Sequence, residues 1–405
     1  YHFAETIEAM RPTFMVSPSP IKKGIYRNIN GNQATAWGLI AAAEKAGLDL
    51  FCGSYPITPA TGILEELAAR KDLGVKSFQA EDEIAGVCTA IGASFAGLLG
   101  VTTTSGPGLA LKSEAIGLAV MTELPLVVVD VQRGGPSTGL PTKSEQSDLM
   151  QAIYGRNGES PVVVIAASSP SDCFHYAFYA AKIAIEHMTP VLLLTDGFLA
   201  NGSEPWRIPS MKDYPQIKPR IVPEGTKDYQ PYARDPKTLA RSWAIPGTSG
   251  LAHRVGGLEK DFITGNVSHD PVNHHRMVEI RQEKVDKVAD VVPDLKLLGA
   301  ESGDLLVVGW GGTFGHLRTA VMELQTAGKK VSLAHFNYIR PLPRNVKGIF
   351  EKFDKIIVCE INLGQFANYL RMQFQEFRFE QFNRVRGMPF TVVELKEKFI
   401  ELLEE

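Results

Sequence analysis

The chain has 405 residues, enough for two or three domains at roughly 100–200 residues each. Hydrophobic residues make up 44% and charged residues 21%, ordinary globular usage that excludes a disordered or coiled-coil protein. Its 42 basic and 45 acidic side chains leave a formal charge of −3, with no electrostatic footprint for nucleic acid or an anionic membrane. Cys52, Cys88, Cys173 and Cys359 form no close pair, which argues against a cluster or zinc ribbon held by this chain. Four free thiols in a reducing, cytoplasmic compartment are expected. The longest uncharged stretch, between Ile84 and Lys112, is broken by Gly, Ser, Thr and Pro107 and reads as buried helix, strand and loop rather than a membrane span. The N-terminus, which begins at Tyr1, shows no basic–apolar–cleavage pattern.

Residues 1–30, with Pro12, Pro18 and Pro20, read as an arm or linker. From 31 to 210, apolar runs at 48–52, 75–78, 100–104, 125–131, 161–166 and 190–195 alternate with helical stretches at 33–46, 59–70, 83–96, 109–121 and 171–187. Strands apolar throughout and separated by helices predict an α/β domain whose parallel sheet is covered on both faces. Residues 211–300 are rich in proline and mixed charge, and predict an irregular excursion or linker with one charged helix at 277–291. A second, smaller α/β domain follows over 301–405, with strands at 305–308, 331–335 and 356–359 and helices at 313–327, 366–374 and 393–403. Gly328 is placed as the C′ residue of the first of these helices.

Four segments follow consecutive strands. In 53–61 (GSYPITPAT), Thr58 suits a helix N-cap and Pro59 the first helical position, a junction that offers N–H groups to an anion. In 79–86 (QAEDEIAG), three acids precede an almost uncharged helix whose small residues Ala85, Gly86, Ala90, Gly92 and Ala93 permit close approach of a backbone or flat ligand. A carboxylate there is either a cap or a partly desolvated proton-exchange group. Segment 102–108 (TTTSGPG) is a glycine-rich turn without the lysine ending of a phosphate loop. In 132–142 (QRGGPSTGLPT), Arg133 is the only charge between Asp130 and Lys143, as expected of a clamp for carboxylate or phosphate. In a parallel sheet all four segments open into one crevice. Two further signals are weaker. Segment 309–315 (GWGGTFG) imitates a dinucleotide fingerprint but has Phe314 at its third glycine position and His335 at the end of the next strand. His269, His274 and His275 read as an exposed loop rather than a metal site.

The blocks YPITP (55–59), TTSGPG (103–108), QRGGPSTG (132–139) and EINLGQ (360–365) resemble the α subunits of 2-oxoacid:ferredoxin oxidoreductases, most closely those specific for 2-oxoglutarate. The resemblance runs from about Asn32 to the C-terminus. It implies a thiamine-diphosphate-binding pyrimidine domain over 31–210 and a transketolase C-terminal-like domain over 301–405. Tyr55, Pro56, Ile57, Thr58 and Glu83 then border the cofactor, and Glu83 is the catalytic acid that hydrogen-bonds the aminopyrimidine. Glu83 is preferred over Glu81 because Gly92 and Ala93 follow it at the spacing usual in thiamine enzymes. Thr58 and Arg133 are expected to bind the 2-oxoacid, and Thr138 coenzyme A. The chain has no Gly-Asp-Gly and so no metal ligands for the pyrophosphate; Mg²⁺ and a 4Fe-4S cluster are assigned to a β subunit. Ferredoxin and an (αβ)₂ assembly complete the expected partners.

The implied reaction converts 2-oxoglutarate, coenzyme A and oxidised ferredoxin reversibly to succinyl-CoA, CO₂ and reduced ferredoxin. Pyruvate or branched 2-oxoacids as substrates, or a non-catalytic assembly role, are the alternatives. Asn157 stands where the resemblance leads one to expect His, and a γ-type domain ahead of residue 1 is a further expectation.

Overall fold

A computed structural model describes residues 1–6, 17–18 and 21–405; Pro12 and Pro20 of the expected arm lie outside these. Seven strands form the main sheet. From one edge they run Val75–Gln79, Leu50–Ser54, Leu99–Thr104, Leu126–Gln132, Pro190–Asp196 and Val163–Ala166, all parallel, and then Tyr338–Arg340, which is antiparallel. The two central strands Leu126–Gln132 and Pro190–Asp196 are buried at every position, as a sheet covered on both faces requires. One face is covered by helices Gly31–Ala46 and Asp172–His187. They approach so closely that a Cβ on Gly38 would lie 2.2 Å from the Phe174 carbonyl oxygen. Helices Glu83–Phe95 and Ser113–Thr122 cover the other face.

The second sheet runs Glu380–Asn383, Phe353–Glu360, Gly303–Trp310, Val331–Phe336 and Leu297–Leu298, parallel except for the last. Helices Phe314–Thr326 and Val392–Glu404 pack on its outer side. Gly328, at φ +81°, takes the left-handed position just beyond the first of these. Its inner side shares one apolar core with the main sheet, where Val87, Ile116 and Leu149 join Val308, Trp310 and Phe336.

The EINLGQ segment makes the join between the sheets. Glu360 is fully buried, and its carboxylate accepts from Trp310 Nε1 (3.1 Å), Asn362 Nδ2 (3.0 Å), Phe366 N (2.7 Å) and Ala367 N (3.1 Å). Burial pushes this carboxyl's pKa up, and those donors oppose it. The braced turn then meets Gln146. Gln146 Nε2 donates to the Trp310 carbonyl (2.7 Å) and its Oε1 accepts from Ile361 N (3.1 Å). Its backbone N–H donates to the Ile361 carbonyl (3.2 Å), and its own carbonyl accepts from Asn362 Nδ2 (2.8 Å). Gln365 adds bonds to Met150 N (2.9 Å) and the Ser147 carbonyl (2.8 Å).

Several local expectations shift. Tyr26–Asn30, inside the expected arm, pairs antiparallel with Ser203–Arg207. The stretch predicted as one helix over 109–121 is two, Gly106–Leu111 and Ser113–Thr122. The charged helix spans Pro271–Lys287 rather than starting at 277. Asp270 caps it by accepting from Val272 N (2.7 Å), and apolar spacing, which begins at Met277, does not reveal that start. Hence His274 and His275 lie on a helix and not in a loop.

The excursion is folded without regular structure. Between Tyr214 and Asp270 its backbone pairs only through isolated bridges such as Ile221 with Trp243 and Lys260 with Val267. It is fastened by charge. Arg241, fully buried, donates from Nε to the carbonyls of Thr122 (3.1 Å) and Glu123 (3.1 Å) at the end of helix Ser113–Thr122. The Glu123 carboxylate, 1% exposed, pairs with Arg234 and Lys284. Burial alone would raise its pKa, but the two cations outweigh it and hold the carboxyl down to about 2. Glu123→Ala leaves two buried cations unpaired and is expected to cost about 3–5 kcal/mol. Denaturant unfolding checks this, together with faster proteolysis within 211–300; unchanged stability would contradict it.

Candidate active site

Strand order reverses between Leu50–Ser54 and Leu99–Thr104. The connection from the first leads outward to Val75–Gln79, and the next crosses back to the far side. Open parallel sheets bind ligands outside the carboxyl ends of their strands at such a reversal. Here the Tyr55 hydroxyl and Thr104 Oγ1 lie 2.9 Å apart, with Ser54 Oγ and Thr103 Oγ1 2.6 Å apart beside them. Glu83 occupies the first turn of helix Glu83–Phe95, its carboxylate beside the Tyr55 hydroxyl. Burial pushes the Tyr55 phenol's pKa up, and the Glu83 charge adds to that. A Cβ on Gly108 would come within 2.1 Å of Tyr55 Oη, 2.2 Å of Thr104 Oγ1 and 2.9 Å of Glu83 Cγ. Only glycine lets those three groups converge.

The three successive acids separate in role. Asp82 is the N-cap, accepting from Ala85 N at 2.8 Å, and Glu81 is exposed. Glu83 is thus free of capping and half-buried. The small residues behind it bring helix and sheet together: a Cβ on Gly53 would lie 2.4 Å from the Gly86 carbonyl, and one on Gly100 2.4 Å from that of Ala90. Gly92 instead faces open space.

Lys112 is a member of this cluster that motif reading missed. It is fully buried, donates to the Glu83 carbonyl (2.7 Å) and to Thr102 Oγ1 (3.2 Å), and lies 4.9 Å from the centre of the Tyr55 ring. Burial drives its ammonium pKa down to about 8, while the Glu83 charge acts the other way. Its signal in the sequence is position: it is the first charge after the long uncharged run.

Arg133 is buried, and its Nη1 donates to the Thr58 carbonyl at 2.5 Å. Its Nε is buried without a hydrogen-bond partner. Thr58 itself is exposed and caps nothing. The helix begins at Thr61 after Ala60, and Thr61 Oγ1 accepts from Ile57 N at 2.9 Å. Beside Thr58 opens a cavity of about 660 Å³, also lined by Asn32, Gln33, Glu65, Thr142 and Asn201. Pro56 is exposed, and Ile57 packs onto the main core.

Thr138 is exposed at the tip of a loop closed by bonds from Gly134 N to the Lys143 carbonyl (2.9 Å) and from Leu140 N to that of Gly134 (2.8 Å). Asn157 is not in the crevice. It lines a separate cavity of about 470 Å³ with Glu114, His274 and Arg281, at the amino-terminal side of the sheet. Of the glycines in 309–315, Gly312 is met from the main sheet. Buried Asp196 accepts from Gly312 N, and a Cβ on Gly312 would lie 2.1 Å from Asp196 Oδ2. The carboxylate of the chain itself thus stands where a dinucleotide phosphate would go. His274 pairs with Glu259 at 2.8 Å and His275 with Glu279 at 3.4 Å. Among the described residues no three His, Cys, Asp or Glu side chains stand together as a metal site, and no helix is long and apolar enough to cross a membrane.

Residues 41–266 match the family described as pyruvate flavodoxin/ferredoxin oxidoreductase, thiamine diphosphate-binding. The 2-oxoglutarate oxidoreductase subunit KorA of Mycobacterium tuberculosis is 50% identical over 98% of this chain, and the chain spans 60% of that relative's length. The 2-oxoglutarate synthase subunit KorA of Methanothermobacter thermautotrophicus is 35% identical over 83% of this chain and 88% of its own. A structure of 2-oxoglutarate:ferredoxin oxidoreductase from Magnetococcus marinus, with 2-oxoglutarate, coenzyme A and succinyl-CoA bound, superposes with a TM-score of 0.91. It shares 34% identity and covers 99% of this chain, which in turn covers 69% of it. A split-gene transketolase, at 11% identity and a TM-score of 0.54 over 93% of this chain and 98% of its own, shares the fold alone. The chain belongs to the pyruvate flavodoxin/ferredoxin oxidoreductase family and carries its thiamine-diphosphate-binding domain.

Proposed function

We propose that this chain is the α subunit of a 2-oxoglutarate:ferredoxin oxidoreductase, converting 2-oxoglutarate, coenzyme A and oxidised ferredoxin to succinyl-CoA, CO₂ and reduced ferredoxin. The observation that carries the reading is Glu83, uncapped and half in water at the sheet's reversal, with the gap over Gly108 kept open beside it. The names of the relatives supply the substrate. The gap and the free carboxylate fit a flat, hydrogen-bonding ring. When bound, thiamine diphosphate supplies a nucleophilic carbon and an electron sink for decarboxylation.

Each residue of the chain then has a task. Glu83 hydrogen-bonds the aminopyrimidine, and Lys112 holds the turn that carries it. Tyr55, Pro56, Ile57 and Thr58 border the ring. Arg133 offers its guanidinium to the 2-oxoacid carboxylate while Nη1 grips the Thr58 backbone. Thr138, on the exposed loop, reaches coenzyme A. The crevice is unfinished on one side, where Phe78, Ile84 and Leu111 are each about half exposed around Glu83. A β subunit carrying Mg²⁺ and a 4Fe-4S cluster covers that side in an (αβ)₂ complex that delivers electrons to ferredoxin in the cytoplasm.

Glu83→Gln in the reconstituted αβ complex is expected to slow hydrogen–deuterium exchange at the thiazolium carbon by at least about 10²-fold; undiminished exchange would remove Glu83 from its role. Arg133→Gln is expected to raise the KM for the 2-oxoacid about a hundredfold with a smaller change in kcat. Steady-state kinetics with a viologen acceptor and no NAD read this, and an unchanged KM rejects the clamp. In the same assay 2-oxoglutarate should exceed pyruvate and branched 2-oxoacids in kcat/KM by about tenfold or more. A preference for pyruvate would overturn the substrate, and no turnover of any 2-oxoacid would favour an assembly role.

A further inference from the structure

We propose that Asp130 and Asp148 share one proton beneath the crevice and act together as positioning residues for Arg133. Asp130, near the carboxyl end of strand Leu126–Gln132, is wholly buried, and neither of its carboxyl oxygens has an N–H or O–H partner. What faces it is the carboxyl of Asp148, also buried, whose Oδ2 is likewise unpartnered. A Cβ on Gly106 would lie 2.5 Å from Asp148 Oδ1, so glycine makes room for the pair. Two carboxylates in contact away from water repel each other strongly. One proton turns that repulsion into a charge-assisted O–H···O⁻ bond and leaves the pair at −1.

Among the described residues no cation faces Asp130 to take the place of the proton. In the sheet, Asp130 is flanked by Thr104 and Leu194. The Asp130 charge is felt by the Tyr55 phenol, with Glu83 and Lys112 beyond it. Asp148 is faced by Ser147, Glu145 and Arg133. Burial holds both carboxyls above the ordinary carboxylate range; the Asp148 charge adds to this at Asp130, while Ser147, Asp130 and Arg133 oppose it at Asp148.

The link to Arg133 runs through the side chain of Gln132 and the carbonyl of Arg133 itself. Gln132 Oε1 accepts from Asp148 N at 3.2 Å, and Ser147 Oγ donates to the Arg133 carbonyl at 2.8 Å. Parting the two carboxyls would pull residues 147–148 away from 132–133 and free the arginine. The folded chain keeps a proton that the unfolded chain releases above about pH 4. The pair's contribution to stability is therefore fullest below that pH and is lost as pH rises through the pair's own range.

Infrared difference spectroscopy of the full chain at about pH 7, wild type minus Asp148→Asn, should show a protonated-carboxyl carbonyl band lost in the variant. Absence of such a band overturns the proposal. Between about pH 5 and 8 the slope of melting temperature against pH should be more positive in Asp148→Asn, whose amide donates where the proton was, than in the wild type, since the buried imidazoles of His187 and His335 act on both alike. An unchanged slope also overturns it. A third measurement rests on the function proposed above. In the αβ complex, Asp148→Ala should raise the KM for the 2-oxoacid about tenfold with kcat within about threefold, and Asp148→Asn should recover most of that loss. A fall in kcat at unchanged KM rejects the positioning role. If Asp148→Ala does not fold, the asparagine variant still carries the first two measurements, and neither depends on activity.

Discussion

Gln146 cannot shift without breaking hydrogen bonds at both ends of its side-chain amide and at both its backbone groups, to Trp310 of the second sheet and to the turn that follows strand Phe353–Glu360. Ser147 and Asp148, which follow it, bond the strand that carries Arg133. One short irregular segment therefore sets the distance between the two sheets and the position of a crevice residue. The requirement behind it is that buried polar groups be paired. Glu360 serves the same end, since its carboxylate collects the N–H groups of a helix start and a tryptophan and so shapes the turn that Gln146 reads.

Charge at the crevice is sorted by exposure. Lys112 and Arg133 are buried, and each is held in part by carbonyl oxygens, so neither cancels a carboxylate outright. Asp130 and Asp148 are buried as well. Glu83 alone among these groups keeps part of its surface in water, because Asp82 has taken over the helix cap. A carboxylate spared the capping role is free to meet a ligand.

Much of the fold was legible because a parallel sheet writes itself as apolar runs, and each run from 48–52 to 190–195 became a strand within a few residues of the expected ends. The crevice followed from chain order, since loops after parallel strands share one edge. What stayed hidden depends on partners distant in sequence. Lys112 and Glu83 meet across a sheet strand and a helix, Asp130 and Asp148 across a long loop, and Glu123 across the whole excursion to Lys284. No period marks such pairs. The cap assigned to Thr58 failed because Ala60 and Thr61, not Pro59, open the helix. The fingerprint at 309–315 was a true glycine-rich turn, but the anion it meets is Asp196 of the same chain. Glycine spacing reports a close approach and does not say what approaches.

The last strand of the main sheet, Tyr338–Arg340, lies far down the chain from its neighbour Val163–Ala166. During synthesis the edge of that wholly buried, apolar strand stays unpaired until the ribosome has passed Arg340. At about 5–20 residues per second this interval lasts roughly 10–35 s. Over that time the nascent chain offers other polypeptides a β-edge with no charge to deter pairing. Production of this protein is thus expected to depend on holdase chaperones and on translation speed over residues 167–340.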